Sequence, residues 1–136
     1  MDHVVFVCEH GGAKSLIAAV YFTRIASERG IELRGLSVGV DPYEQVPGPV
    51  VSGLAGKGID VSGFTPKPAV PSTFVNAPIV VHFGCNIADR VPGDAYVEDW
   101  GDVPPVSEGF ERAHDVILQR VEQLVATIAK LRLGGE

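Results

Sequence analysis

Val4-Val5-Phe6-Val7-Cys8-Glu9-His10-Gly11-Gly12-Ala13-Lys14-Ser15-Leu16-Ile17 is the stretch that decides the fold. His3 to Cys8 is a short apolar run with no polar alternation. It reads as a strand covered on both faces, as strands of parallel sheets are. The run stops abruptly at Glu9-His10-Gly11-Gly12. From Ala13 to Arg29 the apolar spacing becomes helical. Leu16, Ile17, Val20, Tyr21 and Ile25 share one face, and Gly30 ends the helix.

Outward from this unit the chain keeps alternating. Glu32 to Val38 reads as a second strand, followed by a loop with Asp41-Pro42 and Pro47-Gly48-Pro49. Val50 to Lys57 is a short helix closed at Gly58. Ile59 to Asn76, broken by Pro66, Pro68 and Pro71, reads as loop. Ile79 to Phe83 is a third buried strand, Asn86 to Ala95 a loop, and Tyr96 to Trp100 a fourth strand. After a Pro-rich loop from Gly101 to Ser107, Glu108 to Leu133 is the longest helix. Phe110, Ala113, Ile117, Val121, Leu124, Ile128 and Leu131 form its apolar stripe, which is core packing. Strands alternating with helices predict an α/β fold, a parallel sheet with helices on both faces. Ligands of such sheets bind beyond the carboxyl ends of the strands. Cys8 sits at that end of the first strand, and Cys85 lies just past the third.

The 136 residues fit one domain, 1–136. A chain of this length buries roughly 65–70% of its unfolded surface, enough for a core without disulfides. Hydrophobic residues at 46% and charged residues at 21% exclude wholesale disorder. The net charge of −6 excludes a broad basic surface for nucleic acid, so any bound anion is expected in a local site. The Val4–Cys8 run is too short for a signal peptide, and no run has membrane-spanning length. Two cysteines without an export signal point to a reducing, cytoplasmic compartment. No cofactor, metal, nucleic-acid or membrane partner is expected.

The chemistry concentrates in Cys8-Glu9-His10-Gly11-Gly12-Ala13-Lys14-Ser15. Two glycines allow the backbone to curl through positive φ. Successive N–H groups can then point inward as an anion nest, helped by the positive end of the following helix. A thiol placed there is favoured as thiolate, the nucleophilic form. Lys14 adds a cation and the Ser15 hydroxyl can donate to sulfur. Cysteine, nest and cation together suit attack on a tetrahedral oxyanion.

At these residues the chain resembles the low-molecular-weight protein tyrosine phosphatases and, more closely, their relatives the thiol-dependent arsenate reductases. The likeness rests on Cys-x5-basic-Ser after an N-terminal strand. It extends through Gly58-Ile59-Asp60-Val61-Ser62, Val80 to Cys85, Pro92-Gly93, Glu98-Asp99-Trp100 and the long final helix. The resemblance implies a three-layer fold with a four-stranded parallel sheet of order 2-1-3-4. It makes Cys8 the nucleophile, places phosphate or arsenate in the cradle Glu9, His10, Gly11, Gly12, Ala13, Lys14 and Ser15, and has Ser37 support that loop. As a phosphatase, Cys8 forms a phosphocysteine that water hydrolyses. As a reductase, the reading the resemblance favours, it forms a thiol–arsenate adduct. A second thiol then releases arsenite, with a small thiol or a thioredoxin- or glutaredoxin-type protein as reductant.

The chain also departs from the family. Lys14 stands where the family has Arg, replacing a planar fork with a point charge. Gly11 stands where Asn is usual. The family's general-acid Asp directly precedes a Pro in the loop after the Trp; here that place is Pro104, and Asp102, two residues earlier, becomes the candidate acid. Of the reductases' two further cysteines only Cys85 remains, about one position displaced, and Val91 takes the other place. Rival expectations are a non-catalytic oxyanion-binding protein on the same fold, and a zinc site of Cys8, His10, His82 and Cys85. The plainest alternative makes Cys8 a buried structural thiol.

Overall fold

The computed structural model describes residues 2–134. Its elements are β1 (Asp2–Cys8), α1 (Lys14–Glu28), β2 (Leu33–Gly39), α2 (Gly48–Ala55), β3 (Ile79–His82), β4 (Tyr96–Asp99) and α3 (Phe110–Gly134). Two 3-10 helices, Pro71–Phe74 and Val106–Glu108, lie in the connections. The strands form one parallel sheet in the order β2-β1-β3-β4, as expected. In register, Cys8 faces Gly39 of β2, and Val7 faces His82 of β3.

The apolar run of β1 is explained by its central place. Val4, Val5, Phe6 and Val7 are wholly buried. Strand side chains alternate between faces. Val4, Phe6 and Cys8 point into the larger core, with Phe22 of α1, Leu54 of α2 and Ile117 of α3. Val5 and Val7 point into a smaller core with Val38, Val80, Phe74 and Ile87. The α-helices therefore pack on the Cys8 face. The second face is covered by the 3-10 helix Pro71–Phe74 and the chain around Ala69 and Ile87.

Several boundaries differ from the expectation for identifiable reasons. α2 begins at Gly48 because Pro47 (φ −56°) and Pro49 suit a helix start, where a missing N–H costs nothing. The final helix starts at Phe110 because Gly109, at φ +146°, separates it from the turn Val106–Glu108. The stretch 59–76, expected as loop, contains the 3-10 turn that seats Phe74 in the second core. On α1 the expected stripe was too narrow. Val20 and Ile25 are half-buried, whereas Ala18, Phe22 and Ala26 are fully buried, because α1 packs against both the sheet and α3. Among the described residues no helix is long and apolar enough to cross a membrane.

Candidate active site

The loop between Cys8 and α1 is held by its carbonyl side. The carbonyls of Cys8, Glu9 and His10 accept the N–H groups of Val40 (3.2 Å), Asp41 (2.7 Å) and Tyr43 (3.1 Å). The Gly11 carbonyl accepts the Ser37 hydroxyl at 3.0 Å. Among the described residues no peptide bond is cis. In a trans peptide the N–H points opposite to the preceding C=O. With four carbonyls turned outward, the N–H groups of Glu9, His10, Gly11 and Gly12 turn inward. The Gly11 N–H confirms the sense, donating to Cys8 Sγ at 3.2 Å. Among the described residues no protein acceptor takes the N–H groups of Glu9, His10, Gly12, Ala13 or Lys14. α1 opens at Ala13 with no side-chain cap and no acid in its first turn, so its positive end is unneutralised there.

The curl depends on two glycines touching. Gly11 has φ +67°, and a Cβ there would lie 2.7 Å from the Gly39 nitrogen. A Cβ on Gly39 would lie 2.6 Å from the Gly11 nitrogen and from the His10 carbonyl carbon. The loop thus rests directly on the end of β2. Sequence reading picked out Gly11 and missed Gly39. Its one sequence signal was a glycine at the point where an apolar strand ends.

Behind the sulfur runs a chain of hydroxyls. Cys8 Sγ lies 2.9 Å from Ser15 Oγ, which lies 2.8 Å from Ser37 Oγ. Ser37 spends its one proton on the Gly11 carbonyl. Ser15 must therefore donate to Ser37, and the Cys8 S–H to Ser15. Three contacts use three protons, which is the count for the neutral thiol. With the thiolate two protons remain: Ser15 reverses toward sulfur, and Ser37 must release either Ser15 or the Gly11 carbonyl. Ser15 and Ser37 are buried, so water does not make up the difference.

Cys8 borders a cavity of about 350 Å³ walled by Glu9, His10, Ala13, Lys14, Tyr43, Pro47, Pro49, Val50, Pro105, Val106 and Ser107. Most of that wall is apolar. Lys14 Nζ lies 5.7 Å from the centre of the Phe83 ring, which meets Trp100 edge-on at 5.8 Å. The cation is thereby held against the end of β3. The ring of His10 stacks on Tyr43 at 4.0 Å.

The structure does not bring Asp102 or Cys85 into this cavity. Both Asp102 oxygens are taken by Arg120 of α3, at 2.7 and 2.5 Å. The guanidinium holds that carboxyl below its usual range, so it carries no proton to give near neutrality. Cys85 packs with the second core, beside Val91 and Ile87, and its thiol leans on the Val7 carbonyl at 3.7 Å. Burial, reinforced by the charge of Cys8, pushes the Cys85 thiol up to about 11. The four residues proposed for zinc do not gather. Among the described residues the one cluster of three such ligands within 4.8 Å is Glu111, His114 and Asp115 on α3. Phe83, Pro105 and Val106 were not anticipated as parts of the site.

A family model described as low molecular weight phosphotyrosine protein phosphatase matches residues 3–132. Among solved structures, the low molecular weight protein tyrosine phosphatase from T. tengcongensis has a TM-score of 0.82 at 17% identity, over 93% of this chain and 99% of that one. An arsenate reductase in the phosphate binding state gives 0.76 at 24% identity, over 94% and 99%. The arsenate reductase from Archaeoglobus fulgidus DSM 4304 gives 0.69 at 25% identity, over 90% and 98%.

Proposed function

We propose, because the chain belongs to the low molecular weight phosphotyrosine protein phosphatase family, that it hydrolyses phosphate monoesters through Cys8. The observation that carries this reading is the inward-facing curl of N–H groups beside Cys8 at the edge of an apolar cavity. The curl suits the three non-bridging oxygens of a phosphoryl group, whose charge grows during transfer. The walls of Tyr43, Pro47, Pro49, Pro105 and Val106 suit an apolar, ring-bearing alcohol portion. In the first step the Cys8 thiolate attacks phosphorus and the ester oxygen leaves. In the second, water attacks the phosphocysteine and the electron pair of the S–P bond returns to sulfur. Lys14, propped on Phe83, supplies the cation over the transferring group.

A second reading is arsenate reduction, favoured by the 24 and 25% identities to arsenate reductases. The same curl would hold arsenate, and water would leave as Cys8 adds to arsenic. An external thiol then attacks the Cys8 sulfur, and the S–As electron pair passes to arsenic, releasing arsenite. Cys85 is poorly suited to that second attack. It packs on the other face and stays protonated near neutrality. The mixed disulfide then forms with the external thiol.

Parallel assays of aryl-phosphate hydrolysis and thiol-coupled arsenate reduction, on wild type and Cys8→Ser, test both readings. Hydrolysis without added thiol, abolished in the variant, is the expected result. Arsenite release alone would select the second reading. Reversible oxyanion binding with neither turnover would leave a binding protein.

A further inference from the structure

One side chain of the cavity wall is fixed more firmly than a loop residue needs to be, and the sulfur chemistry does not use it. The His10 ring lies 4.0 Å from the Tyr43 ring, with 18° between their planes. Its Nδ1 lies 2.8 Å from the Asp41 carbonyl oxygen. Its own carbonyl accepts the Tyr43 N–H. A carbonyl only accepts, so Nδ1 carries the proton and the tautomer is set. Nε2 is left as the ring nitrogen without a protein partner among the described residues, on a side chain that lines the cavity.

A departing phenoxide or alkoxide needs a proton, and Asp102 is committed to Arg120 outside the cavity. The other titratable groups on the wall are Glu9, Lys14 and Tyr43. Lys14 faces the Phe83 ring, and Tyr43 is one plate of the stack. Glu9 lacks any such restraint among the described residues.

We propose that His10 is the acid–base residue of the reaction, an inference that rests on the phosphomonoester reading. In the first step the S–P bond forms and the P–O bond breaks with its electron pair on the leaving oxygen. That oxygen takes the Nε2 proton of the imidazolium. The neutral ring keeps Nδ1–H on the Asp41 carbonyl. In the second step the Nε2 lone pair takes a proton from the attacking water, the S–P pair returns to sulfur, and inorganic phosphate leaves. An imidazole can do both because it gives and takes protons near neutral pH.

The test compares kcat/KM for phenyl phosphate and p-nitrophenyl phosphate, which differ in how much their leaving oxygen needs a proton. His10→Asn keeps a side-chain N–H for the Asp41 carbonyl, and His10→Gln checks that the result is not one variant's misfolding. Both are expected to lose about a hundredfold on phenyl phosphate and less than about threefold on p-nitrophenyl phosphate, the mark of a lost general acid. Equal losses on the two substrates, or none, would overturn the proposal, as would a selective loss in Glu9→Gln instead. Wild-type protein that hydrolyses neither ester through Cys8 would overturn the phosphomonoester reading itself, a result separable from failure at His10 alone.

Discussion

Removing the Ser15 hydroxyl and removing the Ser37 hydroxyl should change the reactivity of Cys8 in different directions. The thiolate needs the Ser15 proton turned toward it across the 2.9 Å contact. A hydrogen bond to a charged group contributes about 1.5–3 kcal/mol, against about 0.5–1.5 kcal/mol for each of the two neutral contacts it replaces, so Ser15→Ala should cut the thiolate population by up to about thirtyfold. Ser37 works the other way. In the neutral state it completes a chain of three contacts, one of which ionisation breaks. Removing it spares the thiolate that loss, a neutral hydrogen bond of about 0.5–1.5 kcal/mol. Ser37→Ala should therefore leave the thiolate unchanged or raise it up to about tenfold. The assay is the rate of Cys8 alkylation by iodoacetamide at pH 7, read by peptide mass spectrometry, with Cys85 as internal reference. Urea unfolding confirms that both variants fold. If Ser37→Ala slows alkylation as much as Ser15→Ala, the proton count is wrong and the two hydroxyls act as one stabilising network.

Three other outcomes are expected. Gly39→Ala puts a methyl 2.6 Å from the Gly11 nitrogen and should cost about 1–3 kcal/mol in urea unfolding while abolishing phosphate protection of Cys8 against alkylation. Lys14→Arg restores a two-pronged donor and should raise aryl-phosphate kcat/KM by about tenfold; a fall would mean that the site is built around the Phe83-propped ammonium. The Cys85 thiol is raised to about 11 from 9.0 by burial, so the folded state keeps a proton that the unfolded chain has lost. That contribution is complete below pH 9 and disappears as pH rises toward 11. The urea midpoint should fall more steeply over that interval in wild type than in Cys85→Ala, and parallel curves would refute the burial argument.

The fold and the curl beside Cys8 were legible because local chemistry dictated both. An unbroken apolar run has to be a covered strand, and Gly11-Gly12 before a helix has to be a curl. What escaped depended on partners distant in the chain. Asp102 carried the general-acid expectation until Arg120, on α3, claimed both its oxygens. Its neighbours in sequence say nothing of that pairing. The stack of His10 on Tyr43 joins two loops that only the packing of β1 beside β2 brings together. Cys85 looked like a partner for Cys8 because the reductases this chain resembles carry a further cysteine close to that place. The backbone turns at Gly84, φ +85°, and Cys85 falls on the opposite face. Phe22 was missed because a helix packed on two sides has no single stripe.

The most direct measurement is rapid quench of wild-type protein with an aryl phosphate, followed by peptide mass spectrometry. The expected result is a phosphoryl increment on the peptide that carries Cys8, formed no more slowly than steady turnover and absent in Cys8→Ser. Steady hydrolysis with that peptide unmodified, or with the increment on a different side chain, would contradict it.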